Sequence, residues 1–280
     1  MVNKTPLVSV IMSVYDGLEL KYLCAAAESI LTQTYSNLEF LLVLDGVKRE
    51  DIRKSLEDLK KSDCRVRLIH FADNKGLANA MNTAIKKAKG QLFVRMDADD
   101  VSHHDRIAKL VEHMVRREDV DVAGSFIEEF CEESKVKKIL EYPTEHEDIK
   151  NLFAKRNSIA HASVIFRRTF FDKAGYYPLF SIRNEDTLLF LSGFINGCKF
   201  SNLSEVLYSV RFSKKMASRR LGLKKSFSDL VDRLRVIIDL RASSINIFYA
   251  IGLFIIQNLP FDIYNFIRSK TICKKTRRIN

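Results

Sequence analysis

Three carboxylates, Asp97, Asp99 and Asp100, crowd into four residues directly after the apolar run Leu92-Phe93-Val94-Arg95-Met96. That many acids at the end of a buried strand repel one another unless a cation or hydrogen-bond donors neutralise them. In open α/β sheets, ligands bind just outside the carboxyl ends of the strands. A divalent metal gripping a diphosphate therefore accounts for the cluster. The competing account is local. Ser102 followed by Asp105 has the form of a capping box for a helix over 103–117, and Asp favours turns. Capping uses one or two of these acids and gives no reason for three.

The elements that must position this turn alternate regularly. Residues 7–14 form an apolar, β-branched run, so they read as a buried strand. Leu20, Leu23, Cys24, Ala27, Ile30 and Leu31 then recur at helical spacing. A second strand over 40–44 ends at Asp45-Gly46, Ile52, Leu56 and Leu59 mark a helix, and 66–69 is a third strand. Leu77, Ala80, Met81, Ala84, Ile85 and Ala88 form another stripe, stopped by Gly90 ahead of the strand at 92–96. Ile107, Leu110, Val111 and Met114 follow on a helix. Buried strands alternating with amphipathic helices predict an α/β fold with a mostly parallel sheet flanked by helices.

Beyond 120–123 the pattern loosens. Residues 126–130 and 136–140 read as a hairpin, 145–155 as a helix, 162–166 as a strand, 186–196 as a helix and 199–212 as two short strands. The expected organisation is a domain over 1–212, with a nucleotide-binding part at 1–100 and an acceptor part at 101–212. A C-terminal helical region at 213–280 follows.

Composition narrows the partners. Hydrophobic residues make up 46% of the 280, enough for a full core, and the net charge of +11 favours an anionic partner. The five cysteines are scattered without a C-x-x-C pair, which points to a reducing compartment rather than a disulfide or zinc framework. The first residues, Met1-Val2-Asn3-Lys4-Thr5-Pro6, lack a signal-peptide pattern, so a cytoplasmic location is expected. Lys214, Lys215, Arg219, Arg220, Lys224 and Lys225 crowd one segment. Residues 242–261 then run twenty positions without a charge, and Lys270, Lys274, Lys275, Arg277 and Arg278 close the chain. Ser243, Ser244, Asn246, Gln257, Asn258 and Pro260 make that run a poor span. An interfacial helix on an anionic membrane surface fits it better, with a buried helix and solvated basic tail as the plainer alternative.

Five motifs in order resemble the inverting family 2 glycosyltransferases of GT-A fold, over about 7–211. Val8-Ser9-Val10-Ile11-Met12-Ser13-Val14-Tyr15-Asp16-Gly17 resembles the family's opening strand and loop, and Leu42-Val43-Leu44-Asp45-Gly46 its second strand. Asn74-Lys75-Gly76-Leu77-Ala78 with Asn82 resembles the loop and helix before the acidic motif. Asp97-Ala98-Asp99-Asp100 resembles the D-x-D motif, and Asn184-Glu185-Asp186 the acidic pair beside the base. The resemblance implies that Asp45 binds uracil, with Ser13, Tyr15 and Asp16 lining the pocket. By itself Asp45-Gly46 is equally an ordinary turn, and the chain has Val47 where the family often has Ser.

Asn74, Lys75 and Gly76 precede a helix and would offer backbone N–H groups and an ammonium to phosphate; the plain alternative is a helix cap. Arg95 either pairs with one of the acids or approaches the nucleotide. The resemblance further implies that Asp97 approaches the ribose or the metal and that Asp99 ligates Mn²⁺ or Mg²⁺, hard cations suited to oxygen ligands. An inverting transfer needs a base opposite the leaving group. Asp186 is expected to be that base, with Glu185 the alternate; otherwise the pair serves the helix dipole. His161 resembles the family's histidine before a strand, and Arg211 the arginine after the late strand. Where many relatives have a histidine two residues later, this chain has Ser213, so that contact is either missing or replaced by Lys214 or Lys215.

The expected activity is transfer of a hexose or N-acetylhexosamine from a UDP-sugar to a hydroxyl of a lipid-diphosphate-linked glycan. Bacterial surface polysaccharide synthesis, O-antigen included, would be its setting, at the inner face of the cytoplasmic membrane. A sugar-phosphate nucleotidyltransferase is the alternative enzyme. That class usually carries a Gly-rich basic loop after the first strand, whereas this chain reads Val14-Tyr15-Asp16-Gly17-Leu18-Glu19. A nucleic-acid-binding module is disfavoured because the basic residues concentrate late in the chain and the acidic motifs would repel a phosphate backbone.

Overall fold

In a computed structural model, residues 5–131, 136–181, 184–212, 222–259, 263, 267 and 275–278 are described. The four parallel strands expected from the alternating pattern are present: β1 (Val8–Val14), β2 (Leu38–Asp45), β3 (Val66–Phe71) and β4 (Leu92–Met96). They lie side by side in the order β4-β1-β2-β3, all parallel. Both faces of this sheet are covered, which is why its strands read as continuous apolar runs rather than alternating ones.

The side-chain period of two sends alternate residues into two different layers. Val8, Val10, Met12 and Val14 of β1 pack on one face with α1 (Leu20–Leu31), α2 (Glu50–Ser62) and α4 (Arg106–Arg116). Ile11, Leu41, Val43 and Phe93 point into the other layer. There they meet α3 (Leu77–Lys87), α5 (His146–Phe153), α6 (Arg168–Ala174) and α7 (Glu185–Ile195).

The second half extends the sheet with antiparallel strands. The expected hairpin is β6 (Val122–Cys131) with β7 (Val136–Leu140), and β8 (Ile165–Arg167) inserts antiparallel between β4 and β6. Two readings need correction. Residues 199–212 are one strand, β9 (Phe200–Arg211), running parallel to β6 across a register shift at Ser125–Ile127. Its polar middle, Ser204-Glu205, is exposed, so charge there does not interrupt the strand. Nor does the capping box form. Val101–Ser102 becomes the short strand β5, antiparallel to β9. Gln33 caps α4 instead, its Oε1 accepting from the Ile107 N–H at 2.9 Å.

The C-terminal region contributes α8 (Leu223–Asp239) and α9 (Ile245–Gln257), which pack as a hairpin, with Val236 in the same core layer as α7. Strand β10 (Lys275–Arg278) pairs with β7. The basic residues Lys214, Lys215, Arg219, Arg220, Lys270 and Lys274, and Ser213, lie outside the described residues.

Candidate active site

The expected site residues collect at the carboxyl ends of the parallel strands. Asp45, at the end of β2, is buried and its carboxylate takes the backbone N–H of Lys75 (2.6 Å) and of Gly76 (2.9 Å). Asn74 closes the clasp by donating to the Asp45 carbonyl at 3.2 Å. Gly46 is needed beside it: φ is +68°, and an added Cβ would lie 2.3 Å from the Asn74 nitrogen. The expectation that the Lys75 and Gly76 amides face phosphate is therefore corrected, because Asp45 occupies both. Asp16 likewise accepts from the Lys48 and Arg49 N–H groups ahead of α2. Ser13 and Tyr15 are half-buried at the end of β1 and just beyond it, and the Lys75 ammonium lies over the Phe71 ring.

Arg95 is buried at the end of β4 and grips Asp97 with both outer guanidinium nitrogens, one of them at 2.7 Å. Burial works against its charge, but Asp97 outweighs that and leaves the guanidinium firmly protonated. Of the two alternatives for Arg95, pairing with an acid is the one observed.

The turn after β4 is seated by β9. Asp97 donates its N–H to the Tyr208 hydroxyl at 3.0 Å. The Asp100 carboxylate accepts the Arg211 N–H at 2.8 Å, and the Arg211 side chain donates to the Asp99 carbonyl at 2.9 Å. Arg211 is itself held between the Tyr22 and Phe130 rings. These contacts tie Arg211 to the acidic turn.

The three acids do not converge as one set. Asp97 is taken by Arg95 and Asp100 by Arg211, while among the described residues no side-chain donor reaches the Asp99 carboxylate. No group of three or more His, Cys, Asp or Glu among the described residues forms a ready-made metal cage. The acids still feel one another. Burial, then Asp97, raises the Asp99 pKa, and burial with Asp97 and Asp99 raises that of Asp100 well above the ordinary value. This donor set fits a hard cation that takes one or two carboxylates and completes its shell with water and substrate phosphate.

A cleft of about 580 Å³ joins this turn to α7. Arg95, Asp97 and Asp100 line one side, and Asn184 and Asp186 another, with residues of α8 and α9 closing it; Asp99 lies outside the lining. An aromatic stack fixes α7: Phe190 meets Phe200 edge-on, and Phe194 stacks on Phe200 with ring centres 4.1 Å apart. Gly193 lets the helix approach, since a Cβ there would lie 2.7 Å from the Phe170 ring.

At the N-terminus of α7, Asp186 accepts the Thr187 N–H at 2.7 Å. Burial raises its pKa, opposed by that N–H, Arg95 and Lys225. A Glu185 oxygen is buried without a hydrogen-bond partner among the described residues, and burial raises that carboxyl as well. Asp186, a carboxyl with an elevated pKa that lines the cleft, suits proton abstraction from a substrate hydroxyl, with Glu185 beside it in the chain but outside the cleft lining. His161 also lines the cleft, bonded through Nε2 to the Tyr177 hydroxyl at 2.7 Å; burial and Arg95 keep it neutral.

Sequence reasoning passed over Tyr208, Tyr177 and the tie between Asn184 and Lys225. Lys225 donates to the Asn184 Oδ1 at 2.9 Å and pairs with Asp229, and Asn184 donates to Asp232 at 2.6 Å. The i,i+4 spacing of Lys225 and Asp229 was the one available signal.

The sequence model of glycosyl transferase family 2 matches residues 9–175, more than half of the chain. A UDP-Gal:alpha-D-GlcNAc-diphosphoundecaprenol beta-1,3-galactosyltransferase of Escherichia coli is 27% identical over 230 residues, covering 82% of this chain and 83% of the relative. The O-antigen biosynthesis glycosyltransferase WbnJ of Escherichia coli is 31% identical over 216 residues, covering 76% and 82%. Among solved structures, the mannosyltransferase PcManGT from Pyrobaculum calidifontis, in complex with GDP-Man and Mn²⁺, superposes with a TM-score of 0.63. The two are 16% identical, over 95% of this chain and 80% of that one.

Proposed function

The chain belongs to glycosyl transferase family 2, and on that premise we propose that it moves a hexose or N-acetylhexosamine from a UDP-sugar to a hydroxyl of a lipid-diphosphate-linked glycan, with inversion. The observation that carries the proposal is the single cleft lined by the acidic turn and by Asp186. A leaving-group site and a base on different walls of one cavity are what an in-line displacement requires. The relative that uses UDP-Gal and a diphosphoundecaprenol-linked GlcNAc supports the donor and acceptor classes. The GDP-Man neighbour marks the nucleobase as the point on which the assay must decide.

In this reading the residues near Asp45, Ser13, Tyr15 and Asp16 face the nucleoside. Asp45 acts by seating the 74–76 loop, with Lys75 contributing its ammonium. Asp99, with Asp97 held beside it by Arg95, would hold Mn²⁺ or Mg²⁺, which when bound neutralises charge on the departing nucleoside diphosphate. Asp186 takes the acceptor hydroxyl proton as the oxygen attacks the anomeric carbon, and Glu185 is the alternate base. An α-linked donor then gives a β-linkage.

We assign residues 1–212 to the catalytic domain and 213–280 to acceptor and membrane contacts. No helix among the described residues is long and apolar enough to cross a membrane. The α8–α9 hairpin nevertheless exposes Leu223, Phe227, Val231, Ile245, Phe248 and Ile255. That apolar face, flanked in sequence by basic clusters, suits the anionic cytoplasmic leaflet, where both burial and charge hold a peripheral protein.

The test is release of nucleoside diphosphate from a panel of UDP- and GDP-sugars, with and without a lipid-diphosphate-linked acceptor. Asp99→Ala is expected to abolish metal-dependent UDP binding. Asp186→Asn is expected to bind UDP normally and to stop transfer. Normal transfer by Asp186→Asn refutes the base assignment, and pyrophosphate as the product refutes the reaction class.

A further inference from the structure

Asn184 is the residue immediately before the acidic pair, and its side-chain amide is fixed at both ends from α8. Its Oδ1 accepts from the Lys225 ammonium at 2.9 Å, and its Nδ2 donates to Asp232 at 2.6 Å. Lys225 is itself held: its side chain is 14% exposed and paired with Asp229 one turn along. Asp229 takes a further donor, Gln257 of α9, at 3.0 Å. The chain of contacts runs from the C-terminal hairpin to the first turn of α7, and Asn184, Asp186, Lys225, Asp229, Asp232 and Gln257 all line the cleft.

We propose that Lys225 is a positioning residue for the transfer, clamping Asn184 so that α7 presents Asp186 to the acceptor hydroxyl, and that the C-terminal hairpin is thereby part of the catalytic end of the molecule. The proposal rests on the reading of Asp186 as the base.

A bonded ammonium does two things here. It fixes the backbone that aims the carboxylate, and it places a positive charge on one side of a carboxyl whose pKa burial raises. The charged groups around Asp186 come from several elements. Glu185 shares its helix, Arg95 approaches from β4, and Lys225 and Arg233 from α8, the last two beside Asp229 and Asp232. Tyr177, from the loop after α6, stays protonated. Arg95 is already spent on Asp97. Lys225 is thus the cation on the hairpin side whose removal changes both the aim and the charge of the pair.

The experiment measures the pH dependence of kcat/KM for transfer in the full chain, with melting temperature and UDP affinity as controls. Loss of a nearby cation raises a carboxyl pKa, so Lys225→Gln should move the acidic limb to higher pH. A displacement of one pH unit lowers the rate about tenfold on that limb while leaving the alkaline plateau much closer to normal. Asp229→Asn removes the anion that offsets Lys225 and should move the limb the other way. It also serves as the readout if Lys225→Gln does not fold. Lys225→Arg should restore most of the activity.

Opposite displacements with unchanged UDP affinity support the proposal. A uniform loss at every pH, or limbs that do not move, overturns it. Asp186→Asn run in parallel separates the two levels: if that variant transfers normally, the base reading has failed. If it is inactive while the Lys225 and Asp229 limbs stay put, the positioning role alone has failed.

Discussion

Replacing Arg95 with methionine tests how the acidic turn is neutralised. Arg95 is 7% exposed and its guanidinium is bound to Asp97 through both outer nitrogens, whereas its Nε has no hydrogen-bond partner among the described residues. Removing one partner of a buried ion pair costs roughly 3–5 kcal/mol, because the other charge is left uncompensated. The Asp97 side chain is 32% exposed and can rehydrate, which places the cost near the lower end, at about 3 kcal/mol. For a chain of this length that lowers the melting temperature by roughly 6–12 °C. Two-state unfolding followed by circular dichroism measures it. The double variant Arg95→Met/Asp97→Asn should recover most of the loss, since the stranded charge is gone, and the cycle isolates the pair. A double variant no more stable than Arg95→Met, or a single variant melting within 2 °C of the parent by this scale, refutes the view that Arg95 neutralises the turn.

Other consequences are open to the same kind of check. His103, Ser209 and Lys137 outweigh burial and hold Glu128 at about 2, against an ordinary 4.5. A depressed carboxyl stabilises the fold above pH 4.5 and loses that contribution as the pH falls toward 2. Glu128→Gln should therefore flatten stability over that interval, and an unaltered acid profile would contradict the assignment. Gly46→Ala places a Cβ 2.3 Å from the Asn74 nitrogen at a φ of +68°. We expect about 2 kcal/mol of destabilisation together with weaker nucleotide binding, and a variant with parental UDP affinity would show that the 74–76 loop does not shape the nucleotide site. Phe248 is 75% exposed on α9 and Ile255 is 55% exposed. Phe248→Asp/Ile255→Asp should lower partitioning onto phosphatidylglycerol vesicles by roughly tenfold or more while sparing transfer to a water-soluble acceptor. Flotation unchanged by the pair would remove the hairpin as the membrane contact.

What the sequence made legible was set by how local each signal is. The strands β1 to β4 and their helices follow from apolar runs and helical spacing, because both layers of the core are drawn from single contiguous elements. The acidic turn and the Glu185-Asp186 pair were visible as clusters of like charge. What lay out of reach depended on partners distant in the chain. Ser102 looked like a cap because nothing nearby reveals that it pairs with Tyr208 in β9. The amides of Lys75 and Gly76 looked available because Asp45 lies about thirty residues earlier. Lys225 read as one more member of a basic stretch, since its contact with Asn184 spans 41 residues. β9 read as two strands because Ser204-Glu205 breaks the apolar pattern, although the backbone ladder continues past it.

The seat of the acidic turn has a bearing on when the enzyme comes into being. Asp97 and Asp100 meet Tyr208 and Arg211, each pair 111 positions apart. A ribosome that has released the first two hundred residues has therefore delivered every acid of the turn and none of the β9 contacts that seat it. Competence arrives late in translation, and a product terminated before Tyr208 is expected to be inert even where its parallel strands have already folded.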